Sequence, residues 1–247
     1  MPFQLSSLRT VFILLFLCYS ISGFGQYGSK IQLDSISLAD HPDSLYREDQ
    51  IYFGLTFNAM ADLPTGVDQS GFSGGIHAGF IRDMPFNQQR NWSFGAGLGF
   101  SMNVYNNTLF IGEDNNENTV FKAIDESEID FTINRFSTFL VEAPLQIRWR
   151  TSTSKSYSFW RIYTGLKIGY IYYFKSRFKQ TNNEVIQTKL NADLNRLRYG
   201  ATFTFGYNSF NFHVYYSLNS FFDGQISKST ENVGMSTFKI GLMFYIF

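Results

Sequence analysis

Three things are scarce in this sequence. It holds a single cysteine, Cys18. Charged residues make up 16% of it, against roughly 25% in ordinary soluble domains. Past the N-terminal segment, no stretch reaches 18 consecutive apolar residues. Each scarcity excludes something. Cys18 falls in a segment expected to be removed, so disulfides and cysteine metal sites are excluded from the mature chain. The missing apolar run excludes a membrane-spanning helix, so any membrane crossing must be made by strands. Lys plus Arg balance Asp plus Glu at 20 each, so net charge gives no ground for a nucleic-acid partner.

Aromatic residues are abundant, at 19% with 28 Phe and 15 Tyr. Few charges and many rings fit a large lipid-facing surface. The N-terminus reads as a secretory signal over residues 1–25. Arg9 supplies the charge, 11–17 are apolar, and Gly23 and Gly25 precede a cut before Gln26. Leu17, ahead of Cys18, departs from a lipoprotein signal. Residues 26–49 are polar, with Asp34, Asp40, Asp43, Glu48 and Asp49, and read as a periplasmic segment.

From residue 50 to 247 the pattern has period two. Eight runs alternate apolar and polar: 51–60, 71–82, 91–105, 136–150, 158–175, 197–207, 210–221 and 235–247. Alternation alone allows a soluble barrel with its apolar face inside. Three observations favour the inverted, lipid-facing arrangement. Short links at 83–90, 151–157 and 208–209 alternate with longer ones at 61–70, 106–135, 176–196 and 222–234. Trp92, Trp149 and Trp160 share the apolar parity beside the short links, so they form one aromatic girdle at one interface. The polar face is Gly, Ser, Thr, Asn and Tyr with sparse charge, which suits a narrow interior. The expected fold is all-β, an eight-stranded antiparallel up-and-down transmembrane barrel.

The charges on the inward parity are Glu142, Arg148, Arg150, Arg161, Lys167, Arg198 and Lys239. Glu142, Arg148, Lys167, Arg198 and Lys239 form the expected lumen cluster. An unpaired charge there is costly, so Glu142 is expected to bridge Lys167, Arg198 or Lys239. An ion path is the functional alternative to a plug of salt bridges. Eight strands leave barely enough room for their own side chains, which favours the plug. Arg148, Arg150 and Arg161 lie near the periplasmic mouth, in reach of a partner or of lipid phosphates. His77 and His213 face inward, but Ser217 is four residues from His213, roughly 13 Å along a strand, too far for a hydrolase pair. The loop 106–134 carries seven acids and one Lys and reads as a solvated external loop. Its 113–118 run lacks the ligand spacing of a calcium loop. Lys175, Arg177, Lys179 and Lys189 on the facing loop could pair with those acids or hold lipopolysaccharide phosphates. No cofactor or metal site is expected.

The hairpin over 140–175 resembles the PorT-like outer-membrane β-barrel proteins common in Bacteroidetes. Their first strand carries E-x-P-L-x-x-(K/R)-(W/Y)-(K/R), matched by Glu142, Pro144, Leu145, Arg148, Trp149 and Arg150. Their second carries Y-x-G-x-K-x-G-Y, matched by Tyr163, Gly165, Lys167, Gly169 and Tyr170. The resemblance covers about residues 50–247 and includes the final GLMFYIF. It implies an outer-membrane barrel, and its founding member belongs to the type IX secretion system. The expected function is a non-enzymatic structural or interaction barrel, with an accessory role in type IX secretion as its more specific form. A narrow porin-like channel and a lipid-modifying enzyme are the alternatives, in that order. Expected partners are outer-membrane lipids and lipopolysaccharide, the barrel-assembly machinery and periplasmic or secretion-system proteins. Both termini are expected in the periplasm. Phe247 is the expected assembly signal, though it shares a face with Lys239, Gly241, Met243 and Tyr245 and would then turn into the lumen.

Overall fold

The computed structural model describes residues 49–113, 119–124, 130–151, 159–181, 185–188, 193–227 and 229–246. The chain divides into two units, Met1–His41 and Pro42–Phe247. The expected signal peptide, Phe247, Lys189 and most of the 113–118 run lie outside the described residues, as do residues 26–48 of the expected periplasmic segment.

The described residues form eleven strands: β1 (Gln50–Ala61), β2 (Gly74–Pro85), β3 (Trp92–Asn106), β4 (Leu109–Glu113), β5 (Thr119–Ala123), β6 (Phe131–Arg150), β7 (Trp160–Gln180), β8 (Val185–Thr188), β9 (Leu197–Tyr207), β10 (Phe210–Ser217) and β11 (Ser236–Ile246). Eight of them close an antiparallel barrel in the order β6-β3-β2-β1-β11-β10-β9-β7, with β7 pairing back onto β6. β8 extends the sheet beside the far end of β7, and β4 and β5 form a separate hairpin. Closure leaves no barrel edge, which lets a sheet satisfy its backbone in lipid. The seam is regular: β1 pairs with β11 without a break from Ile51↔Ile246 to Ala61↔Ser236.

The barrel is inside out relative to a soluble one. Leu55 is 59% exposed and its neighbour Thr56 is 5% exposed. Ile51, Phe53 and Phe57 face outward with Leu55, while Gln50, Tyr52 and Asn58 face inward with Thr56. Glycines make room for the inward rings. Gly79 directly opposes Gly99, and a Cβ at Gly79 would lie 2.7 Å from the Tyr52 ring. Pro144 has no N–H to give the β3 ladder, and the β3–β6 pairing skips two positions between Ala96↔Leu145 and Gly99↔Glu142 without losing register.

Four strands, β2, β6, β7 and β10, have bounds that differ by several residues from the periodic reading. β2 runs on to Pro85, so Asp83 belongs to a strand and not to a turn. β6 and β7 extend to Phe131 and Gln180, which puts Lys175, Arg177 and Lys179 on a strand and not in a loop. β10 stops at Ser217, freeing Phe221 and Phe222 to turn over the barrel end. β7 also holds a bulge: Phe139 opposes Tyr173 while Leu140 opposes Ile171. The extra residue reverses the parity beyond it. Phe174, expected on the lipid face, is therefore buried at 2% exposure.

The loop 106–134 is expected to be a solvated external loop. Its described residues instead join those of other long links in a cap. Leu109 and Ile111 of β4, Phe121 of β5, Leu194, Phe221, Phe222 and Val233 are all buried in one cluster with Tyr105, Phe136 and Phe174 of the barrel. Phe136 is its hub, with ring centroids 4.8 Å from Tyr105, 5.4 Å from Phe221, 5.6 Å from Phe222 and 5.7 Å from Phe174.

Candidate functional site

The lumen is built in layers from the inward side chains. At the short-turn end, Asp83 is fully buried between two arginines. Its Oδ1 lies 2.9 Å from Arg148 Nη1 and its Oδ2 lies 2.7 Å from Arg150 Nη1. Ser93 donates to Asp83 Oδ1 at 2.7 Å, and Arg148 Nη2 donates to Gln50 Oε1. The Arg148 guanidinium lies 4.1 Å over the ring of Tyr163, its directly opposed partner on β7. Arg161 lies 4.4 Å over the ring of Phe159. Periodicity ends the second strand at Arg82, which puts Asp83 in a turn and leaves Arg148 and Arg150, near the mouth, within reach of outside partners. Both guanidiniums are buried on this carboxylate. The signal was available, because Asp83 continues the inward series His77, Gly79, Ile81.

Above this layer Tyr52, Ile81, Tyr163, Met243 and Tyr245 pack together across the bore. The next layer is a closed ring of polar contacts. Lys167 Nζ is 3.3 Å from Glu142 Oε2, and His77 Nδ1 is 3.6 Å from the same oxygen. Ser101 donates to Glu142 Oε1 at 2.8 Å, and Asn103 donates to Ser101 at 3.2 Å. Lys239 Nζ donates to Asn103 Oδ1 at 2.8 Å, and Asn58 donates to the same oxygen at 3.3 Å. Thr56 donates to Asn58 Oδ1 at 2.9 Å and lies 3.1 Å from His77 Nε2, which closes the ring.

Of the three bases expected near Glu142, Lys167 reaches it directly and Lys239 reaches it through Asn103 and Ser101. Arg198 does not. It sits higher, donating to Ser217 Oγ at 2.6 Å and to the Ser220 carbonyl, with its guanidinium 4.0 Å over Phe221. Ser217 donates to the Asn219 carbonyl at 2.8 Å, and His213 Nδ1 is 2.7 Å from Thr204 Oγ1, so the two do not meet. Among the described residues, no three His, Cys, Asp or Glu side chains gather as a metal site.

Among the described residues, the layers enclose two small gaps. One gap lies among Glu142, Lys167, Arg198 and Lys239, and another among Tyr52, Pro144, His213 and Tyr245, each of about 10 Å³. That is the room of roughly one water probe. The bore is filled at the short-turn end, in the middle and under the cap.

Outside, rings gather in a band near the short turns. Trp92 directly opposes Trp149, which opposes Ile162, two residues from Trp160. Trp160 opposes Tyr207, Tyr207 opposes Phe210, Phe210 opposes Phe244, and Phe244 opposes Phe53. Trp160 also stacks with Phe205 at 6.3 Å and 6°.

A closed barrel with an apolar outer face, a polar filled bore and short turns at one end is a transmembrane β-barrel protein. A family model described as "Outer membrane protein beta-barrel domain" matches residues 32–223, and the chain belongs to that family. It is a small outer-membrane β-barrel protein. Two crystal structures of Ail, the attachment invasion locus protein of Yersinia pestis, are similar at 14% and 16% identity, each covering 81% of this chain and 99% of that one with a TM-score of 0.34. The first holds the heparin analogue sucrose octasulfate. A porin mutant from Rh. blastica is similar at 8% identity, covering 81% of this chain and all of that one, with a TM-score of 0.15. No curated protein matches in sequence.

Proposed function

We propose that this protein is a non-conducting, non-enzymatic outer-membrane barrel of the PorT-like type. It works by presenting surfaces to partners and lipids, not by moving solutes through its bore. The observation that carries this reading is the lumen filled from the Asp83 layer to the Phe136 cap, with gaps of about 10 Å³.

The PorT-like motif acquires a physical meaning in this reading. Glu142 opposes Gly169, Pro144 opposes Lys167, Gln146 opposes Gly165 and Arg148 opposes Tyr163, so its alternate residues are the bore-facing pairs of one hairpin. A motif of this kind specifies a filled barrel and leaves the task to the ends. Residues 1–25 are a signal peptide, 26–49 a periplasmic segment and 50–247 the barrel. Both termini are periplasmic, the long links face outward from the cell, and Trp92, Trp149 and Trp160 lie at the periplasmic interface. Phe247 serves the barrel-assembly machinery, and a secretion-system or periplasmic protein is the partner.

Purified protein in a planar bilayer is expected to give no conductance above background. Stable ion-conducting steps would overturn this reading in favour of a channel. The accessory role in type IX secretion is tested by deletion, where reduced cargo export and gliding are expected and normal export removes that role. Labelled phospholipid or lipopolysaccharide is expected to remain unconverted.

A further inference from the structure

The bulge at Tyr172–Tyr173 turns a set of cations toward the membrane. On its short-turn side the outward residues of β7 are even-numbered, ending at Tyr172. Beyond it they are odd-numbered, so Phe174 and Phe178 are buried while Lys175, Arg177 and Lys179 are partly exposed. Arg135 of β6 directly opposes Arg177, and Lys175 and Lys179 flank the pair. Directly opposed residues on an antiparallel pair have Cβ atoms about 4.5–5.5 Å apart, and like charges so placed are destabilising. Among the described residues, no carboxylate lies within ion-pair distance of any of these four side chains. Within the described residues these four cations lack a counter-charge, which a bound anion would supply.

Arg135 also rims a groove of about 440 Å³ on the outer wall, floored by Leu55, Gly74, Ile76, Met102 and Val104. Gly74 keeps it open, since a Cβ there would lie 2.8 Å from the Phe72 ring. Val104 opposes Ser137, two residues nearer the membrane centre than Arg135. A cationic rim above an apolar slot matches a phosphorylated lipid, and guanidiniums bind phosphate by paired N–H donors.

We propose that this face holds lipopolysaccharide through its lipid A. Arg135, Lys175, Arg177 and Lys179 take the phosphate and the groove takes an acyl chain. Lipid A is the source because the cations lie at the long-link end, and this rests on the reading above that places that end outside the cell.

The test is titration of the full barrel in detergent with purified lipid A, read by native mass spectrometry. R135A/R177A is expected to weaken binding at least tenfold. V104W, which fills the groove and leaves the cations, is expected to weaken it as well. Arg82→Ala, an exposed cation near the other end that is paired with Asp49 at 3.1 Å, is expected to leave it unchanged. Dephosphorylated lipid A should bind the natural protein no better than lipid A binds the double variant. Heat-dependent gel mobility establishes that each variant is folded, and R135A/R177A relieves a like-charge contact and should melt no lower. Equal binding by the natural protein and the folded double variant overturns the site. Phosphatidylglycerol binding as tightly as lipid A overturns the assignment to lipid A. Detergent binding reads the site whichever way the barrel faces. Labelling of Thr230→Cys on whole cells with an impermeant maleimide reads the orientation separately. Absence of label overturns the orientation, and loss of binding with label present overturns the site alone.

Discussion

Glu142 and Lys167 form their ion pair on a diagonal. Glu142 opposes Gly169 and Lys167 opposes Pro144, yet Lys167 Nζ comes within 3.3 Å of Glu142 Oε2. Gly169 leaves the space above the carboxylate open, and Pro144 keeps the lysine's opposite neighbour small and fixed. The pair is buried, so breaking one side leaves an uncompensated charge.

Glu142→Gln is therefore expected to lower unfolding free energy by about 3–5 kcal/mol, the range for removing one partner of a buried pair. E142L/K167L should recover a large part of that loss. Urea unfolding of E142L, K167L and E142L/K167L in micelles supplies the double-mutant cycle. A coupling below about 0.5 kcal/mol, the usual scatter between independent sites, would show that the pair does not hold this layer.

Asp83 is the second keystone of the bore. Asp83→Asn is expected to shift the urea midpoint down, because Arg148 and Arg150 lose their shared carboxylate. Arg148→Lys should be nearly as harmful as Arg148→Ala. An ammonium cannot at once lie flat on Tyr163 and bond both Asp83 and Gln50. Stability of Arg148→Lys close to the natural protein would contradict the fork geometry.

Deleting Tyr172 removes the extra residue of the bulge but leaves Ile171 opposite Leu140 and Tyr173 opposite Phe139. Phe174 and Phe178 then stay inward and Lys175, Arg177 and Lys179 stay outward. The deletion is therefore expected to mature with heat-dependent gel mobility, as Tyr172→Ala is. Failure of the deletion alone to mature would show that the bulge itself is required, and not only the facing of the residues beyond it.

The tryptophans report depth. Fluorescence in vesicles should be quenched more by lipids brominated near the headgroup than near the chain ends. Single-tryptophan variants retaining Trp92, Trp149 or Trp160 should give the same profile, because Trp92 opposes Trp149 and Trp160 is two residues from the partner of Trp149. Three different depths would break the girdle assignment.

Much of the barrel was legible from parity. The strand of Leu197–Tyr207 and the turn at Asn208 (φ 54°) match their expected positions, because the alternation is clean and the link is two residues long. The inward cations were legible for the same reason. The bulge was not, since the residues from Tyr170 to Phe174 offer rings on both parities and local alternation cannot say which one is extra. The cap was hidden because Leu109, Ile111 and Phe121 lie in segments too short and too polar in surroundings to announce a fold. They become a core only when Phe221, Phe222 and Phe136 meet them in space. Asp83 was missed at a boundary, where the last strand residue and the first turn residue look alike.

The unbroken seam of β1 and β11 has a consequence for the order of construction. Every other neighbouring pair in the wall brings together segments nearer in sequence than these two. Contacts of greatest separation form late, because the intervening chain must first be confined. Until β11 arrives, β1 presents its inner-edge amides and carbonyls, with Phe53, Leu55 and Phe57 beside them, to any strand that can reach. The time between emergence of the first strand and docking of the last is thus when this protein is most open to mispairing, and when an escort that masks β1 would matter most.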